Sequence, residues 1–122
     1  MEVNGMRLRT AQNKLKIEHS IIGVRSLVDV GSSISRTILL GCDYFESDES
    51  IRENTRAGRP RIGVGKNTRI ENAIIDKNAR IGDNVVISPG CKEQNLDHPL
   101  YYIRDGIVII PKNGVIPHGT VI

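Results

Sequence analysis

Three histidines, two cysteines and one uneven run of charge are where this 122-residue chain could gather chemistry. His19, His98 and His118 are available as general bases, but none stands at a spacing from a carboxylate that would orient an imidazole, except for Asp97 directly beside His98. Cys42 and Cys91 are isolated, with no CxxC pair and no His/Cys cluster of zinc spacing. Neither a metal site nor a disulfide framework is therefore expected, and a reducing compartment is the default. Asp43, Glu46, Asp48 and Glu49 form an acidic stretch; Arg52, Arg56, Arg59, Arg61, Lys66 and Arg69 follow it, opposed only by Glu53. The ordinary outcome of such a run is a solvated surface laced with ion pairs. Its chemical outcome is a site for a small anion. No set of residues reads as catalytic.

The charge balance excludes one large class of partner. The net charge is +3, and Arg7, Arg9, Lys14 and Lys16 against Glu2 already supply it, so the chain beyond residue 16 sums to zero. Aromatics are 3% of the residues, which removes the stacking platform that usually accompanies nucleic-acid binding. No apolar run approaches the ~18 residues of a membrane span, and the amino terminus lacks the apolar segment of a signal peptide.

The elements that must position any site follow from the aliphatic residues. There are 18 Ile and 10 Val against 7 Leu and 4 Ala, a β-branched core suited to stacked strands and not to a helical bundle. A small residue and an aliphatic residue two positions later recur every six residues: Ser20/Ile22, Ser26/Val28, Ser32/Ile34 and Ile38/Leu40. Residues two apart share a strand face, so these pairs mark an inward side that is narrow enough to require one small member. A second block repeats the pattern in Ile62/Val64, Thr68/Ile70, Ala73/Ile75, Ala79/Ile81 and Val85/Ile87, with a single interval of five between Ile70 and Ile75. Asn67, Asn72, Asn78 and Asn84 shift by the same single step, as corner residues must if the repeat is real. Asparagine tolerates the left-handed backbone of a sharp corner, and Gly23, Gly31, Gly63, Gly65 and Gly82 read as further corners.

Hexapeptide repeats of this chemistry predict an all-β fold, a parallel β-helix whose coils stack at ~4.8 Å and pair with both neighbours. About four coils are expected from the length left after the interruptions. The β-helix spans 17–122, preceded by a basic segment, 1–16. An insert at 42–60 carries a short helix, SDESIRENT from Ser47 to Thr55, with an acidic first turn, closed by Gly58 and stopped by Pro60. CKEQNLDHP, 91–99, has no apolar period and reads as an external loop; Tyr101 to Ile110 returns to strand composition. Val115/Pro117 and Thr120/Ile122 end the chain in repeat-like form.

Four segments carry a more specific likeness: HSIIGVRS (His19 to Ser26), LLGCDYFESDESI (Leu39 to Ile51), PRIGVGKNTRIENAIIDKNARIGDNV (Pro60 to Val85) and YYIRDGIVIIPKNGVIPHGTVI (Tyr101 to Ile122). With these, the chain from about Ile17 to Ile122 resembles the carboxyl-terminal left-handed β-helix domain of ADP-glucose pyrophosphorylase, glucose-1-phosphate adenylyltransferase. The resemblance, not the repeat, supplies the left hand. It implies an enzyme that transfers an adenylyl group from ATP to glucose 1-phosphate with Mg²⁺, giving ADP-glucose for starch or glycogen and releasing pyrophosphate. The catalytic domain of that family is not matched: residues 1–16 hold one glycine, Gly5, and no phosphate loop or acidic metal pair. The resemblance therefore implies regulation and assembly. It places effector-binding lysines for 3-phosphoglycerate or phosphate at Lys77 and Lys112, with Arg25, Arg61 and Arg80 as further basic candidates, and no metal site in this part. Pro111 departs from the aliphatic residue the family pattern has before Lys112 and is expected to redirect that side chain. The expected partners are a catalytic nucleotidyltransferase domain or subunit and further copies of the chain, in a bacterial cytoplasm or a plastid stroma.

Two rival readings stand beside this one. A hexapeptide acyltransferase would use one of the three histidines as a base on an acceptor hydroxyl or amine. A pure scaffold would assemble without any ligand. An open first coil would expose unpaired backbone groups, so the isolated chain is expected to self-associate unless residues 1–16 cap it.

Overall fold

The structure is a computed structural model that describes residues 2–3, 6–8, 15–88 and 94–122. Cys91, the first residues of the expected 91–99 loop and most of the basic 1–16 segment lie outside the described residues. Each coil lays one short strand on each of three faces. β1 (Glu2–Val3) folds back antiparallel on β2 (Met6–Leu8), which opens the first coil with β3 (Lys16–Glu18) and β4 (Ile21–Ile22). The second coil is β5 (Leu27–Val28), β6 (Ser33–Ser35) and β7 (Ile38–Leu39); it is followed by the helix α1 (Asp48–Arg56). The third coil is β8 (Gly63–Val64), β9 (Arg69–Glu71) and β10 (Ala73–Ile75). The fourth begins with β11 (Arg80–Ile81) and β12 (Val86–Ile87). The chain then leaves through β13 (Asn95–Asp97) and β14 (Tyr102–Arg104) before β15 (Ile107–Ile110) completes the third side, and β16 (Val115–Ile116) starts a further coil. The faces are β1-β2-β5-β8-β11-β16, β3-β6-β9-β12 and β4-β7-β10-β15-β14-β13. Because β1 already covers the outer edge of β2, the open first coil expected from the repeat is closed on that face.

The core is three ladders, one per face, because parallel register stacks like on like. Val28, Val64, Ile81 and Ile116 form one; Ile34, Ile70 and Ile87 another; Leu39, Ile75 and Ile110 the third. All ten residues of the second-block pairs are buried. The small inward residues also serve the corners chemically. Ser32 Oγ donates to Gly65 O and accepts from Thr68 N, and Thr68 Oγ1 donates to Gly82 O and accepts from Val85 N. A hydroxyl thus satisfies backbone groups that a turn leaves unpaired.

Two inward pairs differ from the expectation by one residue. Thr37 and Leu39 are buried, not Ile38 and Leu40, because the side between Ile34 and Leu39 is five residues long. The side from Ile70 to Ile75 lies directly below it in the stack and is equally short. Near the end, Ile116 pairs with Ile81 and is buried, so Gly114/Ile116 point inward and Val115/Pro117 do not. The four corner asparagines all take positive φ, between 52° and 62°. Gly31 is a left-handed corner at φ 76°, but Gly65 has another reason: an added Cβ would lie 2.5 Å from Gly82 O in the next coil.

The expected helix is present. Ser47 caps it, its Oγ accepting from Ser50 N, and Asp48 and Glu49 occupy the first turn. The expected external loop is a correction in part, since Asn95–Asp97 forms β13, antiparallel to β14. Its alternating pattern is too short to show in sequence, and its partner follows after a tight Pro99–Leu100 connection. Tyr101 to Ile110 also splits in two, at Asp105 and Gly106, both at positive φ, the Asp-Gly geometry of a tight hairpin.

Candidate anion site

The insert leaves the solenoid at the corner that follows the third face, and that corner recurs in the two coils below it. Asn78 N donates to Gly41 O, and Asn113 N donates to Lys77 O, so the corner of each coil rests on the next. Asn78 and Asn113 both bend the chain at φ 62°. The residue before each is a lysine, so Lys77 and Lys112 project from adjacent coils at equivalent positions. They converge on one carboxylate: Lys77 Nζ lies 3.3 Å from Asp43 Oδ1 and Lys112 Nζ 3.7 Å from Asp43 Oδ2. Asn78 holds Asp43 from below. Its Nδ2 donates to Asp43 Oδ2 at 3.1 Å while its Oδ1 accepts from Asp43 N at 2.9 Å.

This arrangement carries two positive charges and one negative. Hydrogen bonds from Asn78 and Lys77, with the charges of both lysines, hold the Asp43 carboxyl below its ordinary range, so it is ionised at neutral pH. Both lysines and Asp43 are roughly half exposed. At that exposure an ion pair is weak and exchanges readily with solvent or a competing anion. A lysine is a mobile point charge suited to phosphate oxygens, and two of them on one corner make a cradle for a small phosphorylated ligand. Pro111 does not carry Lys112 away from the cluster. Its place is equivalent to Leu40 and Asp76, whose N–H groups donate to Ile75 O and Ile110 O of the next coil. The outer neighbour of β15 on this face is the antiparallel β14 and not another coil, so a residue without an N–H fits.

The three arginines lie elsewhere. Arg25 Nε donates to Cys42 O at 2.8 Å, and Arg80 pairs with Glu46 at 2.8 Å and donates to Pro60 O, so both tie the insert to the first face. Arg61 lines a cleft of about 310 Å³ between α1 and the first face, together with Ile51, Thr55, Lys66 and His118. Its Nε is buried without a hydrogen-bond partner. Glu46 is the centre of the insert: it accepts from Ser50 Oγ, Asn54 Nδ2, Ile62 N and Arg80 Nη1.

The histidines are engaged in local structure. His98 stacks on Tyr101 with ring centroids 4.3 Å apart and accepts from Leu100 N; Asp97 pairs with Arg104 instead of orienting the imidazole. His118 Nδ1 accepts from Asp83 N at 2.7 Å, and His19 is an exposed corner at φ 48°. Among the described residues no three or more His, Cys, Asp or Glu side chains group together. Nor is any helix there long and apolar enough to cross a membrane. Sequence reasoning grouped Asp43 with the acidic stretch and Asn78 with the corners. What joins them is the stacking of one corner over another, with Gly41 at the place that Lys77 and Lys112 hold in their coils and Asp43 two residues further on.

Comparison with known proteins places this geometry. Residues 7–121 match the model of the GLGC left-handed parallel beta-helix domain, which fixes the hand of the solenoid. Over 108 residues the chain is 48% identical to glucose-1-phosphate adenylyltransferase large subunit 1, chloroplastic/amyloplastic, of Zea mays, covering 87% of this chain and 21% of that protein. The matched part thus spans about a fifth of the length of that relative.

Proposed function

The chain belongs to the family of GLGC left-handed parallel β-helix domains, and on that premise we propose that it is the regulatory and assembly part of a glucose-1-phosphate adenylyltransferase, not catalytic by itself. In the whole enzyme, a nucleotidyltransferase domain or subunit would hold ATP, glucose 1-phosphate and Mg²⁺ and form ADP-glucose and pyrophosphate. This chain would supply a platform for that partner and a site for a phosphorylated effector or phosphate. The chloroplastic/amyloplastic designation of the maize relative supports a plastid stroma as its location. The observation that carries the effector reading is the convergence of Lys77 and Lys112 on Asp43, because lysines from two coils share one half-exposed counter-ion. Arg25, Arg61 and Arg80 contribute, in this reading, to the positive field near the insert and not to first contact.

Thermal unfolding against phosphate, 3-phosphoglycerate, fructose 1,6-bisphosphate and acetyl-coenzyme A tests it, since only a ligand that prefers the folded chain stabilises it. The gain should reach about 2.7 kcal/mol at a hundredfold excess over Kd. A rise with the phosphorylated ligands is expected, reduced in Lys77→Ala and in Lys112→Ala. A rise with acetyl-coenzyme A alone would favour acyl transfer. No rise with any ligand would sink the effector half and leave assembly. Asp43→Asn is a separate expectation: with the resident carboxylate neutralised, phosphate should bind several-fold more tightly, most visibly at low ionic strength. Unchanged or weaker phosphate binding in that variant would show that Asp43 does not compete for the lysines.

A further inference from the structure

Five described asparagines take positive φ: Asn67, Asn72, Asn78, Asn84 and Asn113. A corner asks only that the backbone tolerate this conformation, and four of them meet it while lying exposed to solvent. Asn78 is different. It is 7% exposed, and both ends of its amide are spent on one residue outside the repeat: Oδ1 accepts from Asp43 N, and Nδ2 donates to Asp43 Oδ2. The backbone donor settles which way round the amide lies, so its NH₂ group must face the carboxylate. An aspartate here could accept from Asp43 N but would repel the Asp43 side chain. Asp43 itself opens the insert. Just before it, Cys42 is held through its backbone, N donating to Val24 O and O accepting from Arg25 Nε. Further on, Glu46 is buried on Arg80. Between these anchors runs a short span, 43–45, whose two aromatics Tyr44 and Phe45 are exposed. Asn78 and the two lysines hold its first residue. The Asp43 carboxylate therefore sits in the anion site, and it cannot step aside while Asn78 grips it.

We propose that Asn78 is a positioning residue that sets the affinity of this site: it pins Asp43 on the lysine pair as a resident occupant, and a phosphoryl anion enters by releasing the 43–45 span of the insert. The inference rests on the effector half of the function proposed above and gives it a set point and a moving part. The exchange is ionic, and no covalent bond changes. One carboxylate leaves two ammonium groups, and the phosphoryl group takes its place. A dianion gains by this where a monoanion does not, because it neutralises both lysines while Asp43 neutralises one charge. The displaced carboxylate is then repelled by the group that replaced it, which works against the Asn78 grip. Such coupling is reciprocal. Anion binding loosens the span, and a change that loosens the span tightens anion binding even where it touches neither lysine.

Asn78→Gly tests this, since glycine takes positive φ without strain and removes the grip with no change of charge. Inorganic phosphate, titrated at low ionic strength, should bind about fivefold or more tightly to this variant than to the intact chain. Asn84→Gly, the same change at an exposed corner, should leave the Kd where it was. In an Asp43→Asn background Asn78→Gly should add nothing, because a neutral occupant no longer competes; a merely structural asparagine would shift both backgrounds alike. On the intact chain, saturating phosphate should speed amide hydrogen exchange at Asp43, a readout that decides the matter even if Asn78→Gly does not fold. Phosphate binding that leaves exchange at Asp43 unchanged, or a folded Asn78→Gly that binds phosphate no more tightly, would overturn the inference while leaving the effector reading standing. No phosphate binding by the intact chain or by any variant would overturn both.

Discussion

Glu46→Ala is expected to cost about 3–5 kcal/mol, the usual consequence of breaking a buried ion pair by removing one partner. The Glu46 side chain is 5% exposed and faces four donors from three separate stretches of chain. Ser50 and Asn54 belong to α1, Ile62 to the return of the chain into the solenoid, and Arg80 to the coil below. Alanine leaves the Arg80 guanidinium without its counter-charge and Ile62 N without its side-chain acceptor. Urea titration should show a lower midpoint, with α1 losing its anchor. A loss under 1 kcal/mol would mean that the insert is held by Arg25 and Pro60 instead. Acidity should act through the same group. Burial by itself would raise the Glu46 carboxyl, but hydrogen bonds from Ser50 and Ile62 and the charge of Arg80 outweigh it and hold it low. With the folded value below the unfolded value of about 4.3, its contribution is complete above that pH and fades as pH falls through the folded value. The acid limb of the stability curve should therefore be shallower in Glu46→Gln.

Ile70→Ala should be nearly as damaging, toward the upper part of the 2–5 kcal/mol range for such truncations. Ile70 is fully buried and lies in register between Ile34 above and Ile87 below, each also fully buried. What makes this site severe is that it cannot collapse. The spacing of the ladder is set by backbone hydrogen bonds between coils, such as Ser33 N to Thr68 O and Arg69 N to Val85 O, which do not shorten to fill the space of a missing ethyl and methyl group. Val121→Ala, at a residue 75% exposed, is the matched control and should stay within about 0.5 kcal/mol. A loss below about 1.5 kcal/mol at position 70 would show that the coils close on the cavity.

Much of this fold is legible in the sequence because every six-residue step faces the same constraint: a side chain must match the one above it. That constraint writes Ile34, Ile70 and Ile87 into equivalent places, and it exposes its own exception at Asn72. It falters where two solutions share one composition. Ile38 and Leu39 are both aliphatic, and only the paired strand below, Ile74 and Ile75, determines which of them turns inward. The β13–β14 excursion leaves no period at all, since its pairing is antiparallel and local. The candidate site divides in the same way. The lysines were accessible through resemblance, whereas Asp43 as their shared partner depends on three corners being brought over one another, a relation between coils that spacing along the chain does not state.

The antiparallel strands at the two ends of the stack have a bearing on polymer growth. A parallel solenoid is a template whose last coil invites an identical coil to continue it, and a molecule built of nothing else would polymerise end to end. Here β1 reverses direction outside β2, and β13 with β14 reverses it outside β15. On the first face a strand added beyond β1 would meet the wrong polarity for another coil, and on the third the antiparallel β14 takes the edge of β15 that a further coil would need. Each reversal thus blocks continuation on one face only, and end-to-end addition would have to use the remaining parallel edges, such as β16.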